Sequence, residues 1–266
     1  QLIACNAKKE PQQFTKVERG DVEFLVTLSG VAKPFRETMI TAPYTGYIRK
    51  LFVKIGDRVR KGDPLVAFST NLSEHEEVFP IRAAYAGVIT QVFHLEGDYL
   101  VSGSKDLQIL KLEDDSSFYI ESDIPENDYT KIRLGHKAKI RINSLPDEDF
   151  NGEVIQIFQA SREPENSWDR KGGTFPARIR IVNPKPAIHS GLSGVVEIIA
   201  EKVSQVLRVP QEYVRREKDQ YLVYVGTRSP GEARTIELGL KTESFVEVKR
   251  GLQENETLIL PTQGTD

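Results

Sequence analysis

Hydrophobic and polar residues alternate one for one along much of this chain. In "DVEFLVTLSG" (21–30), Val22, Phe24, Val26 and Leu28 fall on one side and their neighbours on the other, the period of a strand with one buried face. The same period runs through "KAKIRINSL" (137–145), "NGEVIQIF" (151–158), "ARIRIV" (177–182), "SGVVEIIA" (193–200), "QYLVYV" (220–225) and "ETLILP" (256–261). Turn-forming clusters such as Leu145-Pro146-Asp147, Asn183-Pro184 and Ser229-Pro230-Gly231 separate the runs. Strands this short and this closely spaced predict sandwiches and barrels. Only "PENDYTKIRLG" (125–135) reads as a short helix, with Asn127 or Asp128 near its start and Gly135 closing it. The fold class expected is mainly β.

One stretch is written twice. "ITAPYTGYIRKLFVKIGDRVRKGD" (40–63) and "IRAAYAGVITQVFHLEGDYLVSGS" (81–104) overlay without a gap at an offset of 41 residues. They share Ile40/Ile81, Ala42/Ala83, Tyr44/Tyr85, Gly46/Gly87, Ile48/Ile89, Phe52/Phe93, Gly56/Gly97, Asp57/Asp98 and Gly62/Gly103. Gly56-Asp57 and Gly97-Asp98 each stand between two strand-like runs, where a residue free to take positive φ lets the chain reverse. Gly46 and Gly87 are assigned to the structural turns of the repeat with them. A unit this small cannot close a core alone, so two copies about a pseudo-twofold axis are expected to pack as a flattened sandwich.

The pattern A-P-x-x-G-x-I followed by "GDRVRKGDPL" (56–65) resembles the biotinyl/lipoyl domain, whose two quasi-symmetric halves meet at a hairpin. In carrier enzymes that hairpin presents a lysine for modification. The corresponding "STNLSEHEEVFP" (69–80) has none, which argues against a biotin or lipoate carrier. Beyond the repeat come "LQILKLEDDSSFYIESDIPENDYTKIRLGHKAKIRI" (107–142), "DFNGEVIQI" (149–157), "GLSGVVEI" (191–198), "VLRVPQEYV" (206–214) and "GLQENETLIL" (251–260). In that order they resemble the periplasmic adaptors, or membrane fusion proteins, of tripartite efflux pumps, over roughly residues 13–262.

The resemblance implies an elongated array of three β-domains. A lipoyl-like sandwich would cover 36–112 and a β-barrel domain 113–202. A membrane-proximal domain would combine 13–35 with 203–266. Most such adaptors carry a long α-helical hairpin between the lipoyl halves. Twelve residues at 69–80 would span only about 18 Å as a helix and could not run out and back, so a short form is expected.

Residues 1–12 read as a lipoprotein N-terminus and polar tether. Leu2-Ile3-Ala4-Cys5 resembles the bacterial lipobox, which makes Cys5 the expected lipidation site and anchor. Cys5 is also the only cysteine, so no intrachain disulfide can form.

Charge and chemistry-bearing residues then narrow the function. A net charge of −3 gives no reason to expect nucleic acid. No window approaches the roughly 20 apolar residues of a membrane span. His75, His94, His136 and His189 sit in different expected elements without ligand spacing. "GVAKPFRET" (30–38) and "GGTF" (172–175) lack phosphate-loop spacing and read as turns. With Met39 and Cys5 the only sulfur side chains, metal handling by the chain itself is not expected. The basic run Arg49, Lys50, Lys54, Arg58, Arg60 and Lys61 reads as a solvated sheet face, with a docking face as the alternative.

No enzyme activity, cofactor or metal is expected. The resemblance implies a lipid-anchored periplasmic adaptor that works with an inner-membrane transporter and assembles as a ring of copies. A resistance-nodulation-division pump is favoured over an ABC-type exporter, and an outer-membrane channel is a further partner implied.

Overall fold

A computed structural model describes residues 14–71, 78, 80–103, 106–162, 173–228 and 231–260. Cys5 and its tether, His75 and most of the 69–80 connection lie outside these residues. The chain is mainly β; among the described residues its helix is the single α-helical turn α1 (Glu126–Tyr129) and a 3-10 turn at Gln211–Tyr213. The helix expected over 125–135 is therefore corrected to the one turn of α1. Gly135 does not close it: at φ 85° its N–H donates to the Val154 carbonyl at 2.8 Å, tying the loop to a strand, while Ile132 is buried.

In chain order the strands are β1 (Phe14–Lys16), β2 (Glu18–Pro34), β3 (Glu37–Thr41), β4 (Gly46–Leu51), β5 (Arg58–Val59), β6 (Pro64–Ser69) and β7 (Pro80–Arg82). Next come β8 (Gly87–Val92), β9 (Tyr99–Leu100), β10 (Gln108–Glu113), β11 (Phe118–Pro125), β12 (Lys137–Ile142), β13 (Asp149–Ile157) and β14 (Thr174–Ile181). The last are β15 (Ser193–Pro210), β16 (Arg215–Glu217), β17 (Gln220–Val225), β18 (Glu232–Lys241), β19 (Phe245–Arg250) and β20 (Thr257–Ile259).

The repeat folds into two four-stranded sheets, β3-β10-β8-β5 and β7-β6-β4-β9. Each sheet mixes strands from both copies. Ile48, Leu65, Val66, Phe68, Ile89, Leu100, Ile109, Leu110 and Leu112 form the core of this sandwich. The inner strands β6 and β10 are buried almost continuously, which explains why "PLVAFS" and "QILKLE" do not alternate.

A second body is a closed ring of strands. β15, β12, β13, β14, β11 and β2 pair in that order, and a further β15–β2 pairing shuts the ring. Alternation decides which side chains are buried: Ile120, Ile124, Ile140, Ile142, Ile179, Ile181, Val196 and Ile198 are almost inaccessible, while the intervening Glu121, Asp123, Lys139 and Arg141 are not. Closure leaves no open edge in this layer. The sandwich departs from and returns to adjacent barrel strands, because Phe118 of β11 sits directly opposite Pro34 of β2.

The chain divides into two compact units, residues 27–197 and residues 1–26 with 198–266. In the second, β1 pairs with β20, which continues through β17, β18 and β19 to the end of β15. Val17, Val209, Val223, Ile236, Val246, Val248 and Leu258 form its core. The segment 13–35, expected in one domain, contributes to both units. β2 has 17 residues: 18–26 belong to the unit of the chain ends, and Gly30–Pro34 pair with β11.

Candidate functional site

The repeat shows how two small copies make one body. Gly56 and Gly97 take φ of 91° and 93°, and an added Cβ would meet nothing within 4 Å at either, so left-handed backbone alone requires glycine there. Asp57 and Asp98 finish the turns: Asp57 Oδ2 accepts the Lys54 N–H at 3.0 Å and Asp98 Oδ2 accepts the Leu95 N–H at 2.9 Å. Each turn is bonded to the other copy. Gly56 N–H donates to Ile89 O at 2.8 Å and Ile89 N–H to Asp57 O at 3.0 Å; Gly97 N–H donates to Ile48 O at 2.7 Å and Ile48 N–H to Asp98 O at 3.0 Å. Neither copy completes its hydrogen bonding alone.

Gly46 and Gly87 correct the expectation that groups them with the turns. They begin β4 and β8 and are not among the positive-φ residues. Their reason is proximity. A side-chain carbon on Gly46 would collide with the Ser69 carbonyl, and one on Gly87 with the Glu113 carbonyl. Ser69 and Glu113, both buried, are the last residues of β6 and β10, where the chain leaves each half of the sandwich.

Those two exits differ chemically. Beyond Ser69 the chain returns at β7, where Pro80 lies opposite Ala67, and the ten residues between, 70–79, contain no lysine. Beyond Glu113 it enters the barrel. There Tyr85 is buried under the Arg36 guanidinium, 4.9 Å from the ring centroid, with its hydroxyl on Thr38 Oγ1 and Leu112 O. Its repeat partner Tyr44 is 42% exposed and packs edge-on against Phe68.

The basic run does not converge on one point. Arg58 pairs with Asp115 at 2.5 Å, Lys50 lies over the Phe52 ring, and Lys54, Arg60 and Lys61 are exposed. A denser electrostatic array runs across the barrel strands. Lys33, Arg162 and Arg178 face Glu121, whose carboxyl is held below its ordinary value mainly by the Lys33 hydrogen bond. Lys137 and Arg180 do the same for Glu153, again with the Lys137 hydrogen bond foremost. This array escapes sequence reading because its members come from five strands, β2, β11, β12, β13 and β14, and from Arg162 outside them; strand alternation marks only that the strand residues face outward.

Among the described histidines, His94 lies between Asp98 and Asp106, at 3.3 Å from each, and burial pushes the His136 imidazole below its ordinary value. Among the described residues no three His, Cys, Asp or Glu side chains are placed to hold a metal, and no helix is long and apolar enough to cross a membrane.

Residues 118–198, the barrel strands β11 to β15, match the family model of the YknX-like beta-barrel domain. The chain is 25% identical over 187 residues to a macrolide export protein, MacA, of Yersinia pestis, a match covering 70% of this chain and 49% of that protein. The fold extends further than the sequence match. The crystal structure of MacA from Actinobacillus actinomycetemcomitans superposes with a TM-score of 0.75 over 93% of this chain and 99% of that one, at 19% identity. The chain thus carries a stretch similar to the YknX-like beta-barrel domain and shares the fold of MacA.

The chain spans about half the length of the curated macrolide export proteins it matches. A chimera of MacA carrying the α-hairpin domain of Pseudomonas aeruginosa MexA also shares its fold, with a TM-score of 0.71 over 93% of this chain and all of that one at 20% identity. In the chain described here, ten residues, 70–79, lie between β6 and β7.

Proposed function

We propose that this adaptor couples an inner-membrane efflux transporter to export across the cell envelope. The observation that carries the reading is the correspondence of almost the entire chain with the MacA fold, sandwich and barrel together. The role is one of assembly and not of catalysis: closed or stacked β-layers present broad surfaces, and binding is distributed over them. Copies associate as a ring in the periplasm. Cys5, in its lipobox-like context, supplies a lipid anchor. The short tip between β6 and β7 weighs against contact with an outer-membrane channel through a long helical hairpin. The lysine-free tip likewise weighs against a biotin or lipoate carrier.

The test is affinity purification of the tagged protein from detergent-solubilised envelopes after mild crosslinking. Recovery of a polytopic transporter supports the adaptor role, and its sequence distinguishes a resistance-nodulation-division pump from an ABC-type exporter. Recovery of no transporter, together with an intact mass carrying biotin or lipoate, would overturn it.

A further inference from the structure

The chain enters the sandwich through Phe35 and Arg36 and leaves it through 114–117, and these connections run side by side. The Asp114 N–H donates to the Arg36 carbonyl at 3.0 Å and the Phe35 N–H to the Ser117 carbonyl at 3.3 Å. At this junction stands Glu113, the last residue of β10, with a carboxylate only 6% exposed. A carboxylate removed from water needs charge and hydrogen-bond partners. Oε1 takes the Lys111 ammonium at 2.7 Å, and the same ammonium holds Glu37 Oε2 at 2.7 Å. These three residues belong to the sandwich.

The other carboxylate oxygen looks to a different body. Oε2 accepts a hydrogen bond from Ser190 Oγ at 2.5 Å, and Ser190 belongs to the loop between β14 and β15 of the barrel. That loop is fixed to the barrel itself: Ile188 is buried, Gly191 N–H donates to Ala32 O at 2.9 Å, and Ala32 N–H donates to Leu192 O at 2.8 Å. A cavity of about 320 Å³ flanks the connection, lined by Arg58, Val59, Tyr85, Asp114, Asp115 and Ser116. The 114–116 segment therefore has open space on one side.

We propose that the Ser190–Glu113 hydrogen bond is a latch that fixes the sandwich to the barrel and can be released without stranding a buried charge. Lys111 is what makes release feasible. It travels with Glu113, so the carboxylate keeps its counter-ion whether or not the barrel hydroxyl is in place. Opening costs one charge-assisted hydrogen bond, the two backbone bonds of the connections and the edge-on contact of Phe35 with Tyr119, while the sandwich core and the closed barrel stay intact. Nothing in the repeat foreshadows this. The equivalent exit of the first copy carries Ser69, which has no carboxylate to be latched.

Hydrogen exchange on the full chain tests the latch. Ser190→Ala should accelerate exchange of the Phe35 and Asp114 amides about tenfold while the protected amides of β11 and β14 keep their rates. Ser190→Thr, which retains the hydroxyl, should restore the original rates. Equal acceleration throughout the barrel, or none at Phe35 and Asp114, overturns the proposal. The unaltered protein offers a check that no folding defect can obscure: Phe35 and Asp114 must exchange by local opening, faster than the slowest amides of β11, and equal protection overturns the latch. Spin labels at the exposed Ile55 and Leu134, introduced as Ile55→Cys and Leu134→Cys in a Cys5→Ser background, should give a broader distance distribution in Ser190→Ala than in the parent.

Discussion

Two kinds of glycine hold the repeat together, and substitution separates them. Gly56→Ala and Gly97→Ala introduce no clash and should each destabilise the protein by about 1 kcal/mol, the cost of a left-handed alanine. Gly46→Ala and Gly87→Ala drive a methyl into a neighbouring strand's carbonyl and should cost about 2–3 kcal/mol. Urea denaturation of the four variants checks the order; turn variants at least as damaging as the strand variants would contradict it. Both pairs are visible as repeat identities. Their difference is not, because collision with Ser69 or Glu113 depends on how the sheets stack and leaves no local trace. A second residue-scale expectation concerns pH. Glu121 and Glu153 have carboxyl groups held below the ordinary 4.5 by lysine hydrogen bonds. A carboxyl lowered in the folded state gives stability fully present above its unfolded value and lost as pH falls through its folded value. The urea midpoint should therefore hold from about pH 7 to about pH 5 and decline below about 4.5. Lys33→Met should lower the midpoint at neutral pH and shrink the acid-induced loss; an unchanged pH profile would remove Lys33 from the explanation.

Among elements, the strands that alternate were readable one by one, since period two reports a half-buried pleat wherever it occurs. β6 and β10 broke the rule because both faces are covered. Partnership was less legible. β2 and β15 read as ordinary strands, yet each is long enough to contribute to both compact units, and nothing in their local pattern announces the change. The short helix failed for the same reason in reverse: Gly135 looks like a helix stop but serves a bond to β13. Truncation after Pro210 should separate the two roles. It preserves β15 whole and removes β17 to β20, the strands among which β1 finds its partner. Residues 118–198 should retain slow exchange while the amides of Phe14–Lys16 lose protection. Retained protection at β1 would mean that it pairs elsewhere.

At the scale of the whole molecule, membrane attachment is expected to rest on Cys5. Cys5→Ser should shift the protein from the membrane to the soluble fraction in cells lacking the transporter proposed above; sedimentation with membranes under those conditions would exclude the lipid anchor. The placement of Phe118 opposite Pro34, and of Pro80 opposite Ala67, has a consequence for how such a chain can change length. Each body is a cassette spliced between two neighbouring strands of the one before it: the tip within the sandwich, the sandwich within the barrel. Splice points of this kind can be lengthened or emptied while the host's pairing stays closed, because the cut ends already lie one strand spacing apart, about 5 Å. Replacing residues 35–117 with Asn-Gly should accordingly convert β2 and β11 into a plain hairpin and yield a barrel that still melts cooperatively. Graft and excision would then be ordinary routes by which one barrel acquires sandwiches and arms of different reach.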